Sequence, residues 1–231
     1  MSVAPTVASV LSNVHRGRAF EKRSLALLEN SLSMSLRRVG GRSDGGVDLE
    51  GWWWLPPLPT TSNSSAQSGY TGVFNGVEGR RRIRVLAQCK AEKNKVGPKY
   101  VRELEGVLSR HSFGVAPPAI PQQPHTPVVA LLLSQSAFTM AAVTCAFSSH
   151  LPFMLLRLSE QDPSRDGSDV EELSGIVCNR ALLGEEGILG AEYEARTEIN
   201  GNGNAMPTLW WNGARLKSWV PDEWRHYSRE T

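Results

Sequence analysis

The run Val128 to Leu133, VVALLL, is the longest unbroken aliphatic stretch in the chain, and its six residues constrain what the chain can fold into. A helix needs roughly 20 apolar residues to cross a membrane, so no membrane span is expected. Following the proline-rich loop of residues 114 to 127, the same run reads as a buried strand. At 231 residues, 40% of them apolar, the chain is long enough for one domain with extensions and a real core. Its 21 Gly and 14 Pro add a generous share of irregular loop.

Other elements arrange themselves around that strand. From Gly17 to Leu36, Leu25, Leu28, Leu32 and Leu36 recur at helical spacing, which predicts an amphipathic helix. A glycine cluster, Gly40, Gly41, Gly45 and Gly46, then turns into a strand through Val47-Asp48-Leu49 and Trp52-Trp53-Trp54. The three tryptophans are expected to alternate between core and surface. Residues 82 to 90, RIRVLAQCK, alternate as a strand that places Gln88 and Lys90 on one side. Pro98 opens a helix running to about Arg110, with Val101, Leu104 and Leu108 on its apolar stripe. Ala137 to Ser148 reads as a helix, Phe153 to Leu158 as a strand and Leu173 to Leu183 as a helix. The pair Asn212-Gly213 marks a hairpin near residues 208 to 218, because type I′ turns need positive φ at both central positions. The fold class is therefore α/β, a mixed central sheet flanked by helices. Its expected organisation is an N-terminal extension at 1–15, a core at 16–160 with loop insertions at 55–79 and 114–127, and a C-terminal extension at 161–231. Three cysteines without a CxxC pair encode neither a disulfide framework nor a zinc knuckle.

Four polar side chains attract attention. Glu21 lies in register with the leucine stripe of the first helix, where a carboxylate wants a partner or a metal. Asp48 is bracketed by Val47 and Leu49 and shares a strand side with Glu50. Gln88 and Lys90 project together from the next strand. A carboxylate facing an amide oxygen and an ammonium makes a compact site for a metal and a phosphate, since Mg²⁺ takes oxygen ligands and its bound water can become a nucleophile. Each residue also has a plainer reading: a helix-dipole Glu, an edge Asp, a solvated strand face.

The run from Arg38 through Gly45-Gly46-Val47-Asp48-Leu49, followed by Ala87-Gln88-Cys89-Lys90, resembles the PD-(D/E)XK nuclease superfamily in its Mrr-type, restriction endonuclease-like branch. The resemblance extends over roughly residues 16 to 160. It implies a restriction-endonuclease-like fold and Mg²⁺ or Mn²⁺ as cofactor. Asp48 would be the metal-binding acid, Lys90 the catalytic lysine and Glu21 the supporting acid from the first helix. Gln88 stands where most of the superfamily has Asp or Glu, so the implied metal ligands are Asp48, Gln88 and Glu21. The longer phrase QCKAEKNKVGPKYVRELEG, with the tryptophan triplet and the LWWNGARL tail, resembles a fungal family of mitochondrial proteins required for respiratory growth.

Charge is distributed in the same sense. Residues 1–110 hold 17 Lys and Arg against 9 Asp and Glu, whereas residues 111–231 hold 8 against 14. Arg80, Arg81, Arg82, Arg84, Lys93, Lys95 and Lys99 cluster near the nominated acid, as groups that hold a DNA backbone would. Residues 1–15 carry no acid and several Ser, Thr and Val, consistent with a mitochondrial targeting segment. The sequence thus points to a metal-dependent, nuclease-like protein hydrolysing DNA in mitochondria. A catalytically inactive nucleic-acid-binding protein and a respiratory assembly scaffold remain open alternatives, and the oligomeric state is not encoded.

Overall fold

The computed structural model describes residues 7–39, 46–57, 74–75, 80–112, 127–159, 173–199, 203 and 205–225, with side chains from residue 14 onward except at 74–75. The chain runs α1 (Val7–Leu32), β1 (Met34–Arg38), β2 (Leu49–Leu55), β3 (Phe74–Asn75), β4 (Arg81–Lys90), α2 (Pro98–Ser112), β5 (Val128–Ser134), α3 (Met140–Ser148), β6 (Phe153–Leu158), β7 (Leu173–Cys178), β8 (Tyr193–Ile199), β9 (Ala205–Trp211), β10 (Ala214–Arg215) and α4 (Asp222–Arg225). The glycines at 40, 41 and 45, most of the 55–79 insertion, the 114–126 loop and residues 1–6 lie outside the described residues.

The main sheet has the order β1-β2-β4-β5-β6-β7, with β3 pairing β4. Its centre is parallel, β4 to β5 to β6, and its flanks are antiparallel. This is the mixed α/β sheet expected from the sequence. Val128 to Leu133 is fully interior. Val129, Leu131 and Leu133 pack into the layer shared with α1, and Ala130 and Leu132 into the layer under α2 and α3. A second sheet, β10-β9-β8, carries the expected hairpin, with Asn212 at φ 48° and Gly213 at φ 74°. The C-terminal segment is part of the core: Leu182, Leu189, Tyr193, Leu209 and Leu216 join the α1-side cluster.

Two expected helices change. The first ends at Leu32, and Leu36 belongs to β1, pairing with Gly51 of β2. Leu32, Met34 and Leu36 satisfy a strand's alternation as well as a helix's stripe, so local periodicity could not separate them. What separates them is Ser33, held at φ 59° by remote partners. Its N–H donates to the Ser218 hydroxyl (3.0 Å) and its hydroxyl accepts from the Trp219 N–H (3.0 Å). Gly51 then lets β1 approach, since a Cβ there would fall 2.1 Å from the Ser35 carbonyl oxygen. The second change is at residues 173–183. Leu173–Cys178 is a strand beside β6, and the chain leaves it through Asn179. The Asn179 amide oxygen accepts the N–H groups of Phe153 and Leu182, and its NH₂ donates to the carbonyls of Ala146, Ser149 and Leu151.

The tryptophan triplet also departs from expectation, because none of the three reaches the surface: Trp52 is 4% exposed and Trp53 and Trp54 are fully buried. Trp53 faces α1, whereas Trp52 and Trp54 are covered from the other side by Trp219, Val220 and Trp224.

Candidate functional site

Asp48, Gln88 and Lys90 lie on one side of the sheet where β2 and β4 meet, and Glu21 lies on the other. Asp48 immediately precedes β2, and its N–H donates to the Ala87 carbonyl (2.9 Å), the residue that pairs with Leu49. Continuing that register by one residue brings Asp48 level with Gln88. The Asp48 carboxylate accepts the Cys89 N–H at 2.6 Å, a charge-assisted bond that fixes its position beside β4. Gln88 is buried at 4% exposure, and its Oε1 has no hydrogen-bond partner. Its amide nitrogen crowds Gly46, where a Cβ would come within 3.2 Å.

Lys90, two residues along the same side of β4, places its ammonium 4.6 Å from the centre of the Tyr100 ring, a cation–π contact with α2. The Tyr100 hydroxyl donates to Glu92, and this bond, ahead of burial, pushes the phenol up to about 12. Glu21 arrives from α1 on the other side of the sheet. Its carboxylate pairs with Arg38 Nε at 2.6 Å. Because α1 begins at Val7, Glu21 is far from the first turn and its charge is met by Arg38 rather than by the helix dipole.

Cys89 shows that these charges share one neighbourhood. Burial drives its thiol far above the usual range, with Asp48 and then Glu21 adding to the effect, while a hydrogen bond with Ser24 and the charge of Lys90 oppose it. The thiol stays protonated, so Cys89 is packing rather than a nucleophile or a thiolate ligand. Cys145 and Cys178 are likewise free thiols.

The basic residues divide into three groups. Lys93, Lys95 and Lys99 are exposed. Arg80 and Arg82 lie over Trp219 and Trp52, at 4.2 and 4.4 Å from the ring centres. Arg81 and Arg84 are interior, at 6% and 1% exposure. Arg81 donates to the Pro56 carbonyl and the Tyr193 hydroxyl. Arg84 pairs with Glu50 at 3.1 Å, and Glu50, itself 3% exposed, also holds Arg37 at 2.9 Å. The sequence's grouping of Arg81 and Arg84 with surface phosphate contacts is therefore corrected: both are turned into the protein and engaged there. Sequence reasoning also missed Arg38, Tyr100 and Glu92, whose roles appear only through cross-element contacts. Glu50 left one trace, its place on the strand side of Asp48.

Among the described residues, no group of three His, Cys, Asp or Glu side chains is arranged to hold a metal, and no helix is long and apolar enough to cross a membrane.

The sequence model of the family Required for respiratory growth protein 7 matches residues 12–182. Relatives bearing the name "Required for respiratory growth protein 7, mitochondrial" include one from Vanderwaltozyma polyspora, 26% identical over 73% of this chain and 72% of its own length. One from Saccharomyces cerevisiae is 27% identical over 71% and 73%, and one from Candida glabrata 27% identical over 84% and 83%. No solved structure matches the chain. A match that spans α1 to the turn after β7 makes this chain a member of the Required for respiratory growth protein 7 family, a mitochondrial protein of respiratory growth.

Proposed function

We propose that the chain is a metal-dependent, nuclease-like protein of the PD-(D/E)XK, Mrr-type branch, hydrolysing DNA phosphodiesters in mitochondria. The observation that carries this reading is the buried Gln88 Oε1, an oxygen without a protein partner level with the Asp48 carboxylate. A buried polar atom left unpaired is uncommon and calls for an ion or water. Oxygen donors of this kind fit Mg²⁺ or Mn²⁺, with Asp48 and Gln88 as ligands, while Glu21, the third nominated ligand, stands on the α1 side and is held by Arg38. Such an ion, when bound, supplies Lewis acidity and an activated water.

The protein's own groups divide the remaining work. The Cys89 N–H holds the Asp48 carboxylate in place. The Tyr100 ring seats the Lys90 ammonium, a compact positive charge suited to a phosphate oxygen where negative charge develops. Lys93, Lys95 and Lys99, exposed between β4 and the first turn of α2, would hold the DNA backbone without reading sequence. Lys99 is free to do so because its contact with Glu103, 3.6 Å between exposed groups, is weak.

One observation favours a second reading, nucleic-acid binding without turnover: the residue level with Asp48 is the neutral amide Gln88 rather than an acid, which weakens metal affinity. A cleavage assay with the full chain on double- and single-stranded DNA, with and without Mg²⁺ or Mn²⁺, decides between them. Metal-dependent cutting that Asp48→Asn and Lys90→Ala each abolish is the expected result. Wild-type protein that binds DNA steeply with salt yet cuts nothing under either metal would establish the second reading.

A further inference from the structure

A row of cross-strand neighbours leads from Lys90 away from Asp48. Lys90 of β4 pairs in register with Ser134 of β5, and Ser134 with Arg157 of β6. Leu156 and Leu158 both pack on the α1 side, so Arg157 between them projects to the other side, that of Gln88 and Lys90. With about 4.8 Å between neighbouring strands, the Lys90 and Arg157 backbones stand about 10 Å apart. All three residues lie towards the C-terminal ends of the parallel strands β4, β5 and β6, the end at which open α/β sheets bind their ligands.

Arg157 is half-buried between two small residues. Ser134 keeps its hydroxyl within its own loop, where it accepts the Ser136 N–H at 3.1 Å. Gly175 of β7 pairs with Arg157 on the other side, and a Cβ there would stand 3.4 Å from the Arg157 Cβ. Among the described residues, no acceptor or acid engages the Arg157 guanidinium. Its Nε is buried, so the two terminal nitrogens are the ones that reach solvent. Lys90 has an aromatic ring rather than an acid as its partner. Two cations thus share one row with only a serine between them, an arrangement suited to successive charges along a polyanion. We propose that Arg157 forms a backbone-phosphate subsite for the DNA strand, holding a phosphate beside the one that Lys90 meets. This rests on the nuclease-like reading and adds the path of the strand to it, from β4 across β5 to β6. A guanidinium fork suits such a phosphate, and with no base edge to read, the contact is blind to sequence.

The test uses the full chain and a labelled DNA duplex, with affinity measured across a salt series and cleavage kinetics measured with Mg²⁺ or Mn²⁺. Arg157→Met should raise KM about tenfold, the effect of one hydrogen bond between charged groups, and leave kcat alone. The slope of log affinity against log salt should fall by about 0.9, one phosphate contact. Arg157→Lys keeps the charge and should restore the slope, a rescue that a role confined to packing the sheet would not give. If Arg157→Met does not fold, Arg157→Gln, which keeps a polar side chain, takes its place. Wild-type protein that binds and cuts DNA, with KM and slope unchanged in the Arg157 variants, would overturn the subsite and leave the nuclease-like reading standing. A loss of kcat at constant KM and slope would overturn it in the same way. Protein that binds DNA but cuts nothing overturns turnover alone, and the slope then decides on Arg157. Protein that neither binds nor cuts overturns both.

Discussion

One side of the sheet carries two polar regions built on opposite plans. Around Glu50, a single buried carboxylate bridges Arg37 and Arg84, which come from strands on either side of it, and the assembly is sealed beneath Trp52 and the end of α2. Around Asp48, the carboxylate meets a backbone N–H, an amide oxygen nearby meets nothing from the protein, and Lys90 rests half-exposed on an aromatic ring. The first region ties three strands together through its acid and leaves donors over, two of the Arg84 nitrogens. The second leaves an acceptor over, the Gln88 Oε1. Residue types are similar in both, so burial and pairing, rather than composition, distinguish a structural cluster from a candidate site.

The sharpest way to break this contrast is to remove one charge from each region. Glu50→Ala leaves two guanidiniums without their carboxylate, one of them fully interior, and should cost about 3–5 kcal/mol by chemical denaturation. Lys90→Ala should stay within about 0.5 kcal/mol, as partly exposed substitutions usually do, while removing cleavage. Equal losses of stability would mean that the Lys90 end is as structural as the Glu50 end.

Gln88→Glu probes the leftover capacity itself. Without metal, a second carboxylate level with Asp48 should lower Tm through like-charge repulsion. With Mg²⁺ or Mn²⁺ the order should reverse, because added ligand charge tightens binding, and a hundredfold excess over Kd adds about 2.7 kcal/mol. A Gln88→Glu protein whose Tm ignores both metals would remove Gln88 from the site.

The division between what could and could not be read from the sequence follows the range of the interactions. The strands β4, β5 and β6, the helix α2 and the Asn212-Gly213 hairpin are punctuated locally, by alternation, Pro98 and a positive-φ pair, and all stand where expected. β1 was hidden because the residue that ends α1, Ser33, is set by Ser218 and Trp219, some 185 residues away. The run Arg80 to Arg84 looked like a surface patch because charge suggests solvent. Alternation and width instead drew Arg81 onto Tyr193 and Arg84 onto Glu50, partners 112 and 34 residues distant. Asp48, Gln88 and Lys90 were legible as a pattern, but Arg38 and Tyr100 were not, since nothing in their own neighbourhood of sequence announces Glu21 or Lys90 as a contact.

The three exposed lysines give a smaller, graded test. If Lys93, Lys95 and Lys99 hold DNA phosphates, replacing each with Ala should reduce the slope of log affinity against log salt by about 0.9. Arg84→Met, acting on the sealed region, should leave that slope alone in any folded sample. A slope that falls with Arg84 and not with the lysines would place the DNA contact on the wrong side of the comparison.

The smallest effect expected is a pH dependence from the sealed region. Burial, followed by the charge of Arg84, lowers the His111 imidazole below its ordinary 6.5, with Arg110 acting in the same sense and Glu50 against it. The native state therefore resists protonation of His111, whereas the unfolded chain takes up the proton near 6.5. Below that value the unfolded state holds more protons, so stability must fall as the pH drops. Above it the His111 contribution is fully present and flat. Denaturation midpoints measured from pH 7.5 downward should decline in wild type, and His111→Gln should remove that part of the decline while leaving the carboxylate-driven losses at lower pH. An identical pH profile in wild type and His111→Gln would mean that His111 is solvated and lies outside the sealed cluster.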